Sequence, residues 1–229
     1  MIEAIVTDIE GTTTPIAFVA EILFPYARQA LPDFVAAHRD RPDVAEQLAA
    51  TRALAGAPDL SDAAVTALLI QWVDEDRKAT PLKILQGLIW VEGYEAGAFQ
   101  GQLYDDVPPL LHAWQAAGLR LFSYSSGSVA AQRLLFGHSP AGDLTPLFEG
   151  FFDTRLGPKL EAASYAALAA AVALPPGQIL FLSDHEGELD AAAAIGFATG
   201  CLDRDGLGRS GRHPIHRDFR SVVAELQRT

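Results

Sequence analysis

Apolar residues follow two rhythms along the chain. A short apolar run, Ala4 to Thr7, reads as a buried strand; it is broken at Gly11 and followed by three threonines and Pro15. From Ile16 the spacing changes, with Ile16, Val19, Ile22, Leu23 and Tyr26 recurring at helical intervals. Further helices are predicted near Pro42–Leu54, Ser61–Asp76 and Leu82–Val91, separated by Ala57-Pro58-Asp59, by Thr80-Pro81 and by Gly93, Gly97 and Gly101. Residues 16–100 therefore read as all-helical.

After Tyr104 strands and helices alternate. Helices at Val107–Ala117, Val129–Phe136, Glu161–Ala173, Glu188–Ile195 and Asp218–Gln227 are interleaved with apolar runs at Leu119–Tyr124, Phe151–Asp153, Ile179–Leu182 and Phe197–Leu202. Such alternation predicts an α/β fold, a doubly wound, Rossmann-like parallel sheet covered on both faces. The expected division is a catalytic core of residues 1–15 and 101–229, with a helical cap of residues 16–100 inserted after the first strand.

Composition narrows the partners. With 49% hydrophobic and 20% charged residues the chain suits a well-buried enzyme, and its net charge of −12 argues against nucleic acid or an anionic membrane surface. The single cysteine, Cys201, excludes an intrachain disulfide. The first residues lack the basic and apolar regions of a signal peptide, and the weakly polar run Ala162–Leu174 is far short of a membrane span, so a cytoplasmic location is expected.

Candidate chemistry lies where the strands end, since ligands of such sheets bind beyond the carboxyl ends of strands. The residues there are Asp8 and Glu10, then Ser125 and Ser126, then Asp153 and Lys159, then Asp184. Two carboxylates brought to one edge repel unless a cation lies between them, and oxygen ligands favour Mg²⁺. With the charge shielded, Asp8 can attack a phosphorus atom to form an aspartyl-phosphate, while Glu10 protonates the leaving oxygen and later activates water. Ser125, Ser126 and the backbone N–H groups after Gly127 make a phosphate cradle. Lys159 supplies fixed positive charge. Taken singly, an Asp at a strand end is more often a helix cap, Ser-Ser-Gly a turn and a lone Lys a solvated one. The ordered set points to phosphate chemistry.

Asp8-x-Glu10-x-Thr12, Ser125, Lys159 and Asp184 resemble the four ordered motifs of the haloacid dehalogenase-like phosphatases, and the helical insert resembles that superfamily's cap. The usual second acid of the first motif is Asp, whereas this chain has Glu10. Asp8-Ile9-Glu10-Gly11-Thr12-Thr13-Thr14, Tyr124-Ser125-Ser126-Gly127-Ser128, Gly157-Pro158-Lys159, Phe181-Leu182-Ser183-Asp184, the cap segment Pro81–Trp90 and Gln132–Ser139 resemble the enolase-phosphatase family of methionine salvage. That resemblance implies a phosphorylated diketone substrate, 2,3-diketo-5-methylthiopentyl 1-phosphate, enolised and then dephosphorylated. It implies one Mg²⁺ per chain held by Asp8, Asp184 and the backbone carbonyl of Glu10, substrate contacts from Ser125, Ser126 and Lys159, and a monomer. Three groups stay open as the base of enolisation: Glu10, a cap residue and water at the metal.

The family form departs after Asp184, where His185-Glu186-Gly187-Glu188 replaces a hydrophobic or small residue. Glu188, one helical turn from Asp184, is expected to support the metal shell rather than Glu186, and His185 to be a bystander. Gly206-Leu207-Gly208-Arg209-Ser210-Gly211 matches a dinucleotide pattern but lacks a following βαβ unit, so a mobile loop is expected. In His213-Pro214-Ile215-His216 the proline breaks the spacing of helical metal ligands. Trp72 and Trp90 read as cap core, Trp90 having the methylthio tail as its alternative role, and Lys78 and Lys83 as solvated. The rivals are a sugar-phosphate phosphatase of the same superfamily and a phospho-receiver signalling domain.

Overall fold

The structure, a computed structural model, describes residues 1–226, with side chains through residue 222. The last residue of the expected C-terminal helix, Gln227, lies outside them. The chain divides into two compact units, residues 1–16 with 100–229, and residues 17–99.

The first unit is built on a six-stranded sheet in the order β3-β2-β1-β4-β5-β6. Its strands are β1 (Ala4–Thr7), β2 (Arg120–Tyr124), β3 (Gly150–Phe152), β4 (Ile179–Ser183), β5 (Ala198–Leu202) and β6 (Ile215–His216), and every pairing is parallel. The first strand occupies the centre, Ala4 pairing with both Arg120 and Ile179. Its residues are all buried, as continuous apolar strands of a two-sided parallel sheet must be. Every second residue of three neighbouring strands, Ala4 and Val6, Phe122 and Tyr124, Ile179 and Phe181, joins one cluster with Tyr165, Leu168 and Val172 of α8 (Ala162–Val172) and Leu189 of α9 (Glu186–Ala193). Alternation turns Ile5, Leu121 and Leu180 to the opposite face, where they are also buried. Two other helices, α6 (Val107–Ala116) and α10 (Phe219–Leu226), meet through Trp114 and Phe219, whose rings lie 4.8 Å apart. The remaining helix of this unit, α7 (Val129–Gly137), starts at Ser128, whose hydroxyl accepts the Ala131 N–H.

The strand β6 has no counterpart in the sequence reading. Two residues are too few to show a period, and its pairing continues through the Cys201 N–H to the Pro214 carbonyl and the Asp203 N–H to the His216 carbonyl. His213 is held by Thr199 at Nδ1 (2.9 Å) and by Asp190 at Nε2 (3.0 Å).

The second unit is helical throughout. A short α1 (Ile16–Phe18) runs through a π-helical turn (Val19–Leu23) into α2 (Phe24–His38), followed by α3 (Pro42–Ala55), α4 (Asp62–Asp74) and α5 (Thr80–Glu95). Leu31, Phe34, Leu48, Leu69, Trp72 and Leu85 form its core. Trp90 packs at the edge of that core and donates its indole N–H to the Leu23 carbonyl (2.8 Å); Lys78 pairs with Asp76. Two expected separators lie inside α5 instead. Pro81 sits in the first turn, where a missing N–H costs nothing. Gly93 is there for close approach: a Cβ would lie 2.7 Å from Phe99 and 2.8 Å from Tyr26. Among the described residues no helix is long and apolar enough to cross a membrane.

Candidate active site

The loop after β1 is tied to itself. The Ile9 carbonyl accepts the N–H groups of Thr12, Thr13 and Thr14, and the Gly11 N–H donates back to the Thr14 carbonyl at 2.8 Å. The Thr13 hydroxyl adds bonds to the carbonyls of Asp8 and Ile9. This explains the three threonines: all are fully buried, and their amides close the loop rather than pairing in a sheet. Gly11 is required for two reasons. Its φ is +71°, and a Cβ would lie 2.5 Å from Asp184 Oδ2. Asp184 is therefore seated against the loop that carries Asp8, and its N–H donates to Thr12 Oγ1 at 3.0 Å.

Asp8 is buried, and Lys159 Nζ reaches its Oδ1 at 2.7 Å. The same ammonium meets Glu188 Oε2 at 2.6 Å, and the Lys159 side chain is only 5% exposed. Burial alone would favour the neutral amine, but Asp8 and Glu188 outweigh it and hold the lysine above its ordinary pKa. The Ser183 hydroxyl, from the last residue of β4, donates to Glu188 (3.0 Å) and approaches Asp8 Oδ2 (3.4 Å). Burial, then the charge on Asp8, push the carboxyls of both Asp184 and Glu188 above the usual carboxylate range.

Asp8, Lys159 and Glu188 thus share one buried cluster, with Asp184 joined through Thr12 and Gly11. Glu188 lies against Lys159, whereas Glu186 faces outward to Ser210 and Arg212. His185 is exposed. Glu10 is exposed beside Asp8, its backbone bridged to Thr14. At the end of the neighbouring β2, Ser125 is buried and its hydroxyl accepts the Gly127 N–H at 3.1 Å, while Ser126 is exposed. Asp153 turns to the start of α7, accepting the Val129 N–H and the Arg155 guanidinium.

The donor set fits a hard divalent cation. Two carboxylates, Asp8 and Glu188, meet one lysine, and Asp184, whose carboxyl is raised by burial and then by the charge on Asp8, sits against the Asp8 loop. Among the described residues no group of three or more His, Cys, Asp and Glu side chains is arranged to hold a metal ion by itself. Two carboxylates with backbone and solvent oxygens suit Mg²⁺, which keeps several waters.

Residues that the motif reading passed over complete the surroundings. Arg209, in the loop read as a dinucleotide pattern, lies 3.8 Å from Asp184 Oδ2 and 3.6 Å from Asp203 Oδ1. That loop is fastened by the Leu207 and Gly208 N–H groups on Asp203. Arg204 grips the Thr12 carbonyl. Asp203 and Arg204 follow the apolar run of β5 as the other site residues follow theirs, so the strand-end rule contained the signal.

Known proteins resemble the chain over nearly its whole length. A family model for haloacid dehalogenase-like hydrolase matches residues 2–196. Enolase-phosphatase E1 of Methylococcus capsulatus is 54% identical over 226 residues, covering 99% of this chain and 100% of that protein. Enolase-phosphatase E1 of Parvibaculum lavamentivorans is 58% identical over 203 residues, 89% of this chain and 86% of its own. Among solved structures, the UTR4 protein of Saccharomyces cerevisiae has a TM-score of 0.80 at 35% identity, covering 96% of this chain and 100% of that one. The L-2-haloacid dehalogenase RSc1362, at 23% identity and a TM-score of 0.59, shares the fold. On these likenesses the chain belongs to the enolase-phosphatase E1 family of haloacid dehalogenase-like hydrolases.

Proposed function

We propose that the chain enolises 2,3-diketo-5-methylthiopentyl 1-phosphate and removes its phosphate to give 1,2-dihydroxy-3-keto-5-methylthiopentene, with Asp8 as nucleophile. The observation that carries this reading is Lys159 Nζ at 2.7 Å from Asp8 Oδ1 inside a buried, otherwise acidic pocket. A carboxylate is a weak nucleophile toward a phosphate dianion because both are negative. The buried ammonium is placed to hold a phosphoryl oxygen next to that carboxylate, and it is steadied by Glu188.

An Asp8 oxygen attacks phosphorus as the bond to the ester oxygen breaks, and Glu10 delivers a proton to the departing oxygen. Glu10, now a carboxylate, takes a proton from water, which attacks the aspartyl-phosphate and frees Asp8 and inorganic phosphate. Ser125 and Ser126, with the N–H groups that follow, bind the remaining phosphoryl oxygens. Asp8, Asp184 and the Glu10 carbonyl would hold Mg²⁺, which when bound would supply positive charge beside the phosphoryl and diketone oxygens. Enolisation shifts one proton from carbon to oxygen and precedes phosphate loss.

Incubating the protein and Mg²⁺ with the diketo phosphate tests this. Growth of the enol absorbance followed by stoichiometric phosphate is expected; phosphate release from sugar phosphates alone would overturn the assignment.

A further inference from the structure

Among the described residues a second buried ion pair, Arg204 with Asp106, also reaches the nucleophile loop. Arg204, just beyond β5, donates Nε (3.0 Å) and Nη2 (2.7 Å) to the Thr12 carbonyl, while Nη1 meets both oxygens of Asp106 at 2.7 and 2.9 Å. The guanidinium lies 4.2 Å from the Tyr104 ring centroid and 5.1 Å from that of Phe219, and the side chain is 5% exposed. Asp106 is fixed in turn by the Phe219 N–H at 2.7 Å. Next to the clamp, the Tyr104 N–H donates to the Thr13 carbonyl at 3.0 Å.

A buried ion pair is poor evidence of stabilisation, because desolvation offsets most of its attraction. This one is spent on a backbone carbonyl. Thr12 is also the residue whose hydroxyl accepts the Asp184 N–H. One fully buried residue is thus held from two directions, by Arg204 at its carbonyl and by the strand end carrying Asp184 at its side chain. Only a planar fork makes the Thr12 and Asp106 contacts together; a lysine ammonium is a single point.

We propose that Arg204 and Asp106 form a positioning pair that fixes the separation of Asp8 and Asp184 without touching substrate. The proposal rests on the reading of Asp8 as nucleophile. Arg204→Lys and Asp106→Asn, assayed well below their melting temperatures, are expected to lower kcat about 10- to 100-fold, with KM within about twofold, as misplacement of a reacting group does. Calorimetric titration with Mg²⁺ alone should show about tenfold weaker binding, the lower end of what a loosened shell around ligands costs. Hydrogen exchange at Gly11–Thr14 in the metal-free protein should quicken. The double variant should lose no more than the worse single one. A lower melting temperature with kcat, Mg²⁺ affinity and exchange unchanged would overturn the proposal, as would failure of both variants to fold. Activity retained in Asp8→Asn would instead refute the underlying reading, leaving the exchange result to speak for the clamp.

Discussion

Lys159 and Arg204 each keep 5% of the side chain exposed and each meets carboxylates within 3 Å, yet their surroundings differ in kind. The lysine is a point charge between two acids, one of them the candidate nucleophile. The arginine lies against two rings, Tyr104 and Phe219, and spends two of its donors on a peptide carbonyl. On the proposed mechanism, charge stands where a phosphate would be neutralised, and shape where a loop is held. The same pairing of cation with carboxylate would then serve chemistry on one side of β1 and geometry on the other.

The sharpest break in that contrast is Asp8→Asn. It keeps the shape of the side chain, and phosphate release is expected to fall by about 10⁴-fold or more, as loss of a nucleophile does, with the far-ultraviolet spectrum unchanged. Excess chelator should silence the native enzyme as fully, and added Mg²⁺ should restore it. Next is Lys159→Met, which leaves Asp8 and Glu188 facing each other without their cation. Denaturant titration should show a loss of about 3–5 kcal/mol, because one partner of a buried pair has gone, and turnover should drop about 10²- to 10³-fold with the missing electrostatic donor. Arg204→Lys, by contrast, should lower kcat with a smaller stability loss. Gly11→Ala asks the loop itself: the left-handed backbone costs about 1–2 kcal/mol for an L-residue, and the Cβ would displace Asp184, so melting temperature and Mg²⁺ affinity should fall together.

The smallest effect is expected at Asp153, a carboxylate outside both clusters. Burial would raise its pKa, but hydrogen bonds from the Arg155 side chain and from the Arg155 and Val129 N–H groups prevail and hold it below the ordinary aspartate value. Its contribution is complete above about pH 3.9, the unfolded value, and is lost as pH falls through the depressed native value. Asp153→Asn should flatten the acid limb of melting temperature against pH and leave neutral activity nearly unchanged.

Much of this was readable in the chain. Alternating apolar runs and helices gave the parallel sheet, and Asp8, Lys159 and Asp184 each follow such a run closely enough to be placed at one edge. Glu188 was visible as the residue one turn past Asp184. Asp106 was not: it immediately precedes α6, where an aspartate reads as a helix cap, yet its side chain makes no capping bond and turns to Arg204. Arg204 could be picked out by its place after β5, but its contacts could not: its partners, Thr12 and Asp106, are distant in sequence, and no local pattern encodes a contact made by folding. Gly93 and Pro81 misled for a related reason, since their usual role as breakers was overridden by packing and by position in the first turn.

The central place of β1 sets an order of events during synthesis. Its backbone partners begin at Arg120 on one side and Ile179 on the other, and the grip on Thr12 waits for Arg204. Asp8 therefore emerges well before the residues that complete its surroundings. The helical unit of residues 17–99 can collect its own core while β1 is still unpaired. A nascent chain stalled before Arg204 would carry Asp8 but lack the grip on the Thr12 carbonyl that holds the loop behind it.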